Sequence, residues 1–283
     1  MNLLVDFAAA FPLFWLCFVG LLGAIVGSFL NVVIYRLPVM LEMRWQREAL
    51  LQLAQQPLPE SVPRFNLLLP RSCCPHCQHP VATRDNIPLL SFLWLQGKAR
   101  CCGEAISWRY PLVEVATALL FVLAALAWPL GMPLLGAWIF LSVLLALAVI
   151  DHHTQLLPDV LTLPLLWLGL LFNLQGQFVA LEQAIIGAVA GYLCLWSLFW
   201  LFKLATGKEA LGYGDFKLLA ALGAWLGWQA LPQVILVAAG GGLLFTLVQR
   251  GLALAQKDFN QPLAFGPWLA LAGALNLLIP LFF

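Results

Sequence analysis

Residues 145–174 read LALAVIDHHTQLLPDVLTLPLLWLGLLFNL, two apolar runs separated by a short polar stretch from Asp151 to Asp159. With their neighbours, both runs approach the roughly 20 apolar residues that a helix needs to cross a bilayer. Carboxylates are costly to hold at a membrane edge and are therefore candidates for function. The stretch predicts two membrane-spanning helices joined by a loop that carries acids.

The whole chain has the composition of a membrane protein. Of its 283 residues, 63% are hydrophobic and 10% are charged, whereas a soluble domain is about half apolar and a quarter charged. The net charge of +1 gives no reason to expect a nucleic-acid partner. We therefore expect an all-α polytopic membrane protein with about eight transmembrane helices, over residues 11–35, 111–128, 132–150, 159–174, 182–202, 215–229, 232–249 and 263–282.

Two of these runs have alternative interpretations. The run 11–35 could be a secretory signal peptide, but it is longer than such a segment and lacks a basic start and a small-residue cleavage site, so we expect a retained helix. The run 215–229 is short for a span, and a re-entrant helix is the alternative there.

The positive charges predict an orientation. All 14 lysines and arginines fall on one side of the eight-helix arrangement, and the opposite loops near 129–131, 175–181 and 230–231 contain none. Because basic loops stay in the cytoplasm, we expect the charged side to be cytoplasmic and both termini to lie outside.

The same arrangement predicts three parts of the chain. Residues 1–36 form a first transmembrane helix, 37–110 a cytosolic insert with five clustered cysteines, and 111–283 a transmembrane core. Within the insert, the stretch 39–56 mixes arginine and glutamate with leucine and tryptophan, which predicts a surface helix.

Two aspartates share the cytoplasmic edge. Asp151 ends one apolar run, and Asp215 begins another within EALGYGDFKLLAALGAWLG, residues 209–227. Carboxyls held close together cannot both ionise, so one can activate a water as a base while the other donates a proton. Asp159 follows Pro158 at a helix start, and there we expect a helix cap.

The helix dipole suggests how the two roles divide. Asp151 ends a helix, where an anion is disfavoured, and Asp215 begins one, where an anion is favoured. We therefore expect Asp215 to start as the base and Asp151 as the acid, with the pair titrating as a unit. Gly212 and Gly214 would allow unusual backbone angles and a close approach of substrate.

Several stretches together resemble a known family. They are GSFLNVVIYRLP (27–38), LPRSCCPHC (69–77), IDHHTQLLPDVLTLPLLW (150–167), GKEALGYGDFKLLAALGAWLGW (207–228) and FGPWLALAG (265–273). The chain is similar to the type IV prepilin peptidases, GxGD-type aspartyl proteases of bacterial inner membranes, and most of all to those serving type II secretion.

The resemblance implies an activity and a site. It maps the catalytic aspartates of the family onto Asp151 and Asp215, and it implies cleavage of the basic leader of prepilins and pseudopilins between Gly and Phe. N-methylation of the new N-terminus with S-adenosylmethionine would follow. No stretch of the sequence indicates where that methyl donor binds.

The cysteine cluster departs from the family pattern. Similar proteins often carry two CxxC pairs, which suit a tetrahedral zinc ion. Here Cys74 and Cys77 form the first pair, but Ala99 replaces one member of the second, leaving the adjacent Cys101 and Cys102 as candidate ligands. Alternatives for the fourth ligand are Cys73, His76 and His79, and a further alternative is a fold without metal.

Two other functional classes fit the sequence less well. A small transporter could use Asp151 and Asp215 as proton-relay groups, but such acids usually lie near the bilayer midplane within inverted repeats. A structural adaptor could dock a partner through its cysteine insert.

Overall fold

The structure is a computed structural model that describes residues 2–54, 65–74, 76–208, 212–251 and 264–281. Arg64, Glu209 and Lys257 lie outside these ranges. Within the described ranges the regular elements are helical, apart from two isolated bridges, Cys73 with Pro80 and Lys98 with Ala105. The expected all-α class is confirmed.

Each of the eight apolar runs contributes a helix. The α-helices of the described ranges are α1 (Asn2–Ala10), α2 (Pro12–Ala54), α3 (Leu90–Trp94), α4 (Arg109–Ala127), α5 (Met132–Thr154), α6 (Asp159–Asn173), α7 (Leu181–Thr206), α8 (Tyr213–Leu226), α9 (Leu231–Gly251) and α10 (Gly266–Leu277). Short 3-10 turns cover Thr83–Asn86, Trp228–Ala230 and Ile279–Leu281.

Five helices are long and apolar enough to cross a membrane, and they lie within α2, α4, α5, α7 and the Trp228–Val248 segment. The other three, α6, α8 and α10, have 15, 14 and 12 residues. At about 1.5 Å per residue they are shorter than a typical hydrocarbon core. The polytopic character is therefore confirmed, and the number of spans stays a prediction.

The first apolar run and the predicted surface helix form one element. α2 continues through both as 43 residues with Pro38 inside, which at about 1.5 Å per residue is roughly twice the thickness of a bilayer core. The helix continues through Pro38 although a proline inside a helix removes one backbone hydrogen bond and crowds the preceding turn.

The chain divides into two compact units, one comprising Asp6–Val122 and the other Met1–Val5 with Leu123–Phe283, so that the boundary falls inside α4. In the first unit, α2 and α4 pack closely because a Cβ at Gly23 or Gly27 would meet the α4 backbone. The Asn31 amide donates to the Tyr110 carbonyl at 3.0 Å. This is the interhelical hydrogen bond expected of a polar residue within an apolar helix.

In the second unit, α8 forms the centre of the core. Its residues from Asp215 to Trp225 are buried, with the exception of the half-buried Lys217. Gly187 and Gly191 of α7 lie directly against the α8 backbone at Gly223 and Leu219, where no side chain would fit. A helix that is apolar on all sides is stable only when surrounded, which is the position that α8 has between α6, α7 and α10.

Polar contacts hold the C-terminal end of α8. The Trp225 indole donates to the Leu165 carbonyl at 2.8 Å, and the Asn173 amide donates to the Ala224 carbonyl at 2.9 Å. The Asn173 side-chain oxygen accepts the N–H groups of Phe178 and Val179. Buried polar groups are thereby satisfied, and α8 is fixed in depth against α6.

Candidate active site

Asp151 lies in the last turn of α5 and is 6% exposed. The helix ends at Thr154, and the next residue, Gln155, adopts a left-handed backbone (φ 53°) with its N–H bonded to the Asp151 carbonyl at 2.9 Å. The Asp151 carboxylate accepts the N–H of Gly266, the first residue of α10, at 3.0 Å. A buried carboxyl thus keeps a polar partner at a helix N-terminus, which favours an anion.

Asp215 lies in the first turn of α8 and is 7% exposed. Its Oδ2 accepts the N–H of Gly212 at 3.3 Å, so the side chain also caps its own helix. Asp215 therefore caps its own helix, as first-turn acids often do, and is buried at the same time.

The structure brings the two aspartates together at one end of the second unit. Leu157 of the α5–α6 loop packs against Gly214, beside Asp215, and against Gly266, which binds Asp151. One side chain therefore contacts the immediate surroundings of both acids.

Neither glycine of the GYGD stretch has the unusual backbone angles that were expected, while the expected close approach of substrate stays a prediction. Gly212 has an ordinary extended backbone with φ −80°, and Gly214 is not in the left-handed region. A Cβ at Gly214 would lie 2.7 Å from the Leu157 Cβ, whereas a Cβ at Gly212 would make only an ordinary contact, 3.5 Å from Asp215 Oδ2. Gly214 is thus required by close packing within the protein, and unusual backbone angles are not the cause.

Asp159 was expected to cap a helix, and this prediction is wrong. Pro158 is the N-cap of α6, and no side chain bonds to its free N–H groups. The Asp159 carboxylate instead accepts the Lys217 amine through both oxygens, at 2.7 and 2.8 Å. A hydrogen bond from a charged lysine to a carboxylate is stronger than one from a neutral backbone amide.

The basis for dividing the catalytic roles changes as well. Asp151 ends α5, but the N-terminus of α10 faces it, so each carboxyl receives one N–H from the start of a helix. The dipole of α10 offsets that of α5. The helix dipoles therefore no longer distinguish base from acid, and that division stays a prediction.

The four candidate zinc ligands lie together in the insert. The sulfurs of Cys74, Cys77, Cys101 and Cys102 are all within 4.8 Å of one another. The shortest separations are 3.2 Å for Cys77–Cys101, 3.6 Å for Cys74–Cys102 and 3.9 Å for Cys101–Cys102. Ligands at about 2.3 Å from a tetrahedral zinc ion are about 3.8 Å apart, so the arrangement fits such an ion.

The alternative ligand Cys73 points elsewhere, since its thiol bonds to the Gln78 side chain at 3.5 Å. His76 and His79 are not part of the cluster found among the described residues. Cys101 lies inside the turn that the Gly103 N–H closes on the Ala99 carbonyl.

Electrostatics within the cluster favour one thiolate. The backbone N–H groups of Cys77 and His76 donate to the Cys74 sulfur and lower the pKa of that thiol to about 6. The hydrogen bond with Cys77, followed by desolvation, raises the pKa of the Cys101 thiol to about 12. A thiol must lose its proton to bind a metal, and the lowered pKa of Cys74 favours that loss.

Three residues at the acid end were not assigned a role from the sequence. Gly266, Leu157 and Lys217 contact Asp151, the GYGD loop and Asp159. The only local signal was the Gly–Pro start of an apolar run at 266–267, which predicts a helix N-terminus. Nothing in the sequence indicated that this N-terminus faces Asp151.

Comparisons with known proteins match nearly the whole chain. Residues 21–128 match the bacterial peptidase A24 N-terminal domain, and residues 138–247 match the type IV leader peptidase family. No solved structure matches the chain.

Curated relatives carry one shared description, prepilin leader peptidase/N-methyltransferase. The relative from Pectobacterium carotovorum subsp. carotovorum is 59% identical over 279 residues, covering 99% of this chain and 98% of that protein. The relative from Dickeya chrysanthemi is 57% identical, with coverage of 98% and 96%. The relative from Pseudomonas aeruginosa is 52% identical, with coverage of 97% and 94%.

Proposed function

Because the chain belongs to the type IV leader peptidase family and is a prepilin peptidase and N-methyltransferase, we propose that Asp151 and Asp215 perform its cleavage step. The observation that carries the proposal is the burial of both carboxyls, at the end of α5 and the start of α8, on either side of the Leu157 side chain. The alternative function, a small transporter, finds no support in the comparisons.

The chemistry needs one ionised and one protonated carboxyl. The ionised group takes a proton from a water, whose oxygen attacks the carbonyl carbon of the scissile bond. The protonated group stabilises the developing oxyanion and then donates its proton to the leaving amine as the C–N bond breaks. The two groups exchange protonation states in the reaction, as a pair sharing one proton can do.

The substrate is a pilin-like precursor with a short basic leader, cut between Gly and Phe. A basic leader stays in the cytoplasm while the apolar segment behind it enters the bilayer. The end of α5 and the starts of α6, α8 and α10 lie together at the acids. With Lys217 at that end, the positive-inside rule supports an active site at the cytoplasmic face of the inner membrane and periplasmic termini.

Cleavage of a purified pseudopilin precursor by the detergent-solubilised enzyme tests the proposal. Asp151→Asn and Asp215→Asn should each abolish the size shift, while Glu48→Gln, at an exposed position of α2, should cleave like the parent. Near-normal cleavage by either aspartate variant would show that the pair is not the catalytic centre.

The second activity requires a methyl donor, and we assign that role to S-adenosylmethionine. Its binding residues are not indicated by the geometry. Incubation of enzyme and precursor with labelled S-adenosylmethionine should transfer label to the cleaved product only, because the acceptor amine exists only after cleavage. Label on an uncleaved precursor would contradict this order of events.

Zinc is the metal that Cys74, Cys77, Cys101 and Cys102 would hold. Four thiolates in a closed tetrahedral set are typical of a structural site. Bound there, zinc would join Cys74 and Cys77 to the turn at 99–103 and stabilise the insert. Metal analysis of purified enzyme should give about one zinc per chain, and a content far below that would favour an insert that folds without metal.

A further inference from the structure

We propose that the ion pair between Asp159 and Lys217 is a positioning clamp that sets the separation of the Asp151 and Asp215 carboxyls. The inference rests on the proposed role of these two aspartates in cleavage. Neither clamp residue is assigned a part in the chemistry itself.

The pair has the geometry of a specific contact. Asp159 is the first residue of α6, and the Lys217 amine in the second turn of α8 approaches both of its oxygens, at 2.7 and 2.8 Å. The contact joins positions 58 residues apart in sequence. A charge-assisted contact to both oxygens restricts orientation more than a single hydrogen bond does.

The clamp lies next to the packing contact between Gly214 and Leu157, beside Asp215. Gly214 and Lys217 are three residues apart on α8 and therefore share a face. Gly214 meets Leu157 and Lys217 meets Asp159, so α8 holds the short segment 157–159 at two points. Asp215 lies between these two contact positions in the sequence.

The same segment is tied to Asp151. It follows the end of α5 after two residues, and Leu157 also contacts Gly266, whose N–H binds the Asp151 carboxylate. Release of Asp159 would remove one of the two points at which α8 holds segment 157–159, while the Leu157–Gly214 contact and the α10 contact of Asp151 stay in place. The expected consequence is a change in the distance between the two carboxyls.

Exposure indicates that the pair does little for stability. The Lys217 and Asp159 side chains are 29% and 53% exposed, and pairs so exposed contribute little to folding. Catalysis is far more sensitive, because a misplacement of about 1 Å can lower a rate roughly 100-fold. If the ion pair is a clamp, breaking it should lower kcat while the protein stays folded.

Charge reversal tests the clamp. Asp159→Asn and Lys217→Met should each lower kcat for precursor cleavage roughly 10- to 100-fold, with KM and Tm little changed. The charge-reversed double variant Asp159→Lys/Lys217→Asp should recover most of that loss, and Lys217→Arg should stay close to the parent. Glu48→Gln breaks an exposed ion pair with Arg44 elsewhere and should have no effect.

Methyl transfer to a synthetic, already cleaved product provides a second readout. It should be unchanged in the single variants, because the clamp acts only through the two aspartates. Parent-like kcat in both single variants, a charge-reversed variant no better than the singles, or a parallel loss of methyl transfer would each overturn the proposal. These results would leave the Asp151→Asn and Asp215→Asn outcomes unaffected, so failure of the clamp is distinguishable from failure of the catalytic pair.

Discussion

Asp151 and Asp215 are buried, and each carboxyl accepts a hydrogen bond from a backbone N–H group at the start of a helix. Gly266 donates to Asp151 at 3.0 Å, and Gly212 donates to Asp215 at 3.3 Å. Backbone donors do not titrate and cannot rotate away, so they orient a carboxyl in either protonation state. Such fixed donors suit the proposed catalytic pair, in which the two carboxyls would exchange protonation states during one turnover.

Gly214 is the residue of the GYGD stretch most sensitive to substitution. Gly214→Ala should force Leu157 away and lower kcat about 100-fold, because the new Cβ would lie 2.7 Å from the Leu157 Cβ. Gly212→Ala, whose Cβ has room, should lose much less. Steady-state cleavage kinetics of the two variants give the comparison, and equal losses would contradict the packing explanation.

Cys101 is the residue that decides whether the insert forms a four-thiolate site. Cys101→Ser should reduce bound zinc and increase its release to a chelator, since the Cys101 sulfur lies 3.2 Å from that of Cys77. Cys73→Ser is the matched control, because its thiol lies outside the cluster and bonds to Gln78. Equal zinc contents in both variants and the parent would exclude Cys101 as a ligand.

At the scale of elements, the contact between α7 and α8 sets the position of the GYGD loop. Gly187 and Gly191 lie against Gly223 and Leu219 with backbone touching backbone, which small residues permit in membrane helices. Since α8 is short and buried, displacement from α7 would also move its first turn.

Gly223→Ala should therefore destabilise the protein, by about 1–3 kcal/mol as overpacking does, and lower its Tm in detergent. The new Cβ would meet the Gly187 backbone, which cannot rotate aside as a side chain could. Gly240→Ala on α9 meets nothing within 4 Å and should leave Tm unchanged or slightly higher. A Tm for Gly223→Ala equal to that of the control would show that the helices can separate without penalty.

The elements were largely predictable from sequence, and their contacts were not. Apolar runs bounded by glycine and proline indicated every long helix, because backbone hydrogen bonding in a bilayer leaves few alternatives to a helix. The pairing of Lys217 with Asp159 and the approach of Gly266 to Asp151 depend on how distant helices pack. Hydropathy describes a chain in one dimension, and it therefore contains no information on those distances.

At the scale of the molecule, the acids were found through charge asymmetry and resemblance together. One-sided Lys and Arg placed Asp151 and Asp215 at the same edge, and the matching motifs gave that edge a chemistry. The same sequence information failed for Asp159, where an isolated first-turn acid was taken for a cap. Its partner Lys217 is 58 residues away, beyond the reach of local rules.

The predicted topology can be measured on whole cells. A cysteine introduced at Gln175, in the loop between α6 and α7, should react with a membrane-impermeant maleimide added from the periplasmic side. Cys73, which is exposed in the insert, should react only after the inner membrane is opened. The opposite pattern would reverse the orientation inferred from the positive charges.

The most direct measurement of the central claim compares the cleavage rates of Asp151→Asn, Asp215→Asn and the double variant under single-turnover conditions. The effects of substituting groups that act as one unit are not additive. Each single variant should therefore cleave about 10³-fold or more slowly than the parent, and the double variant should be no slower than the slower of the two single variants. A double variant whose loss equals the product of the two single losses, or a single variant that cleaves at the parent rate, would contradict a shared catalytic pair.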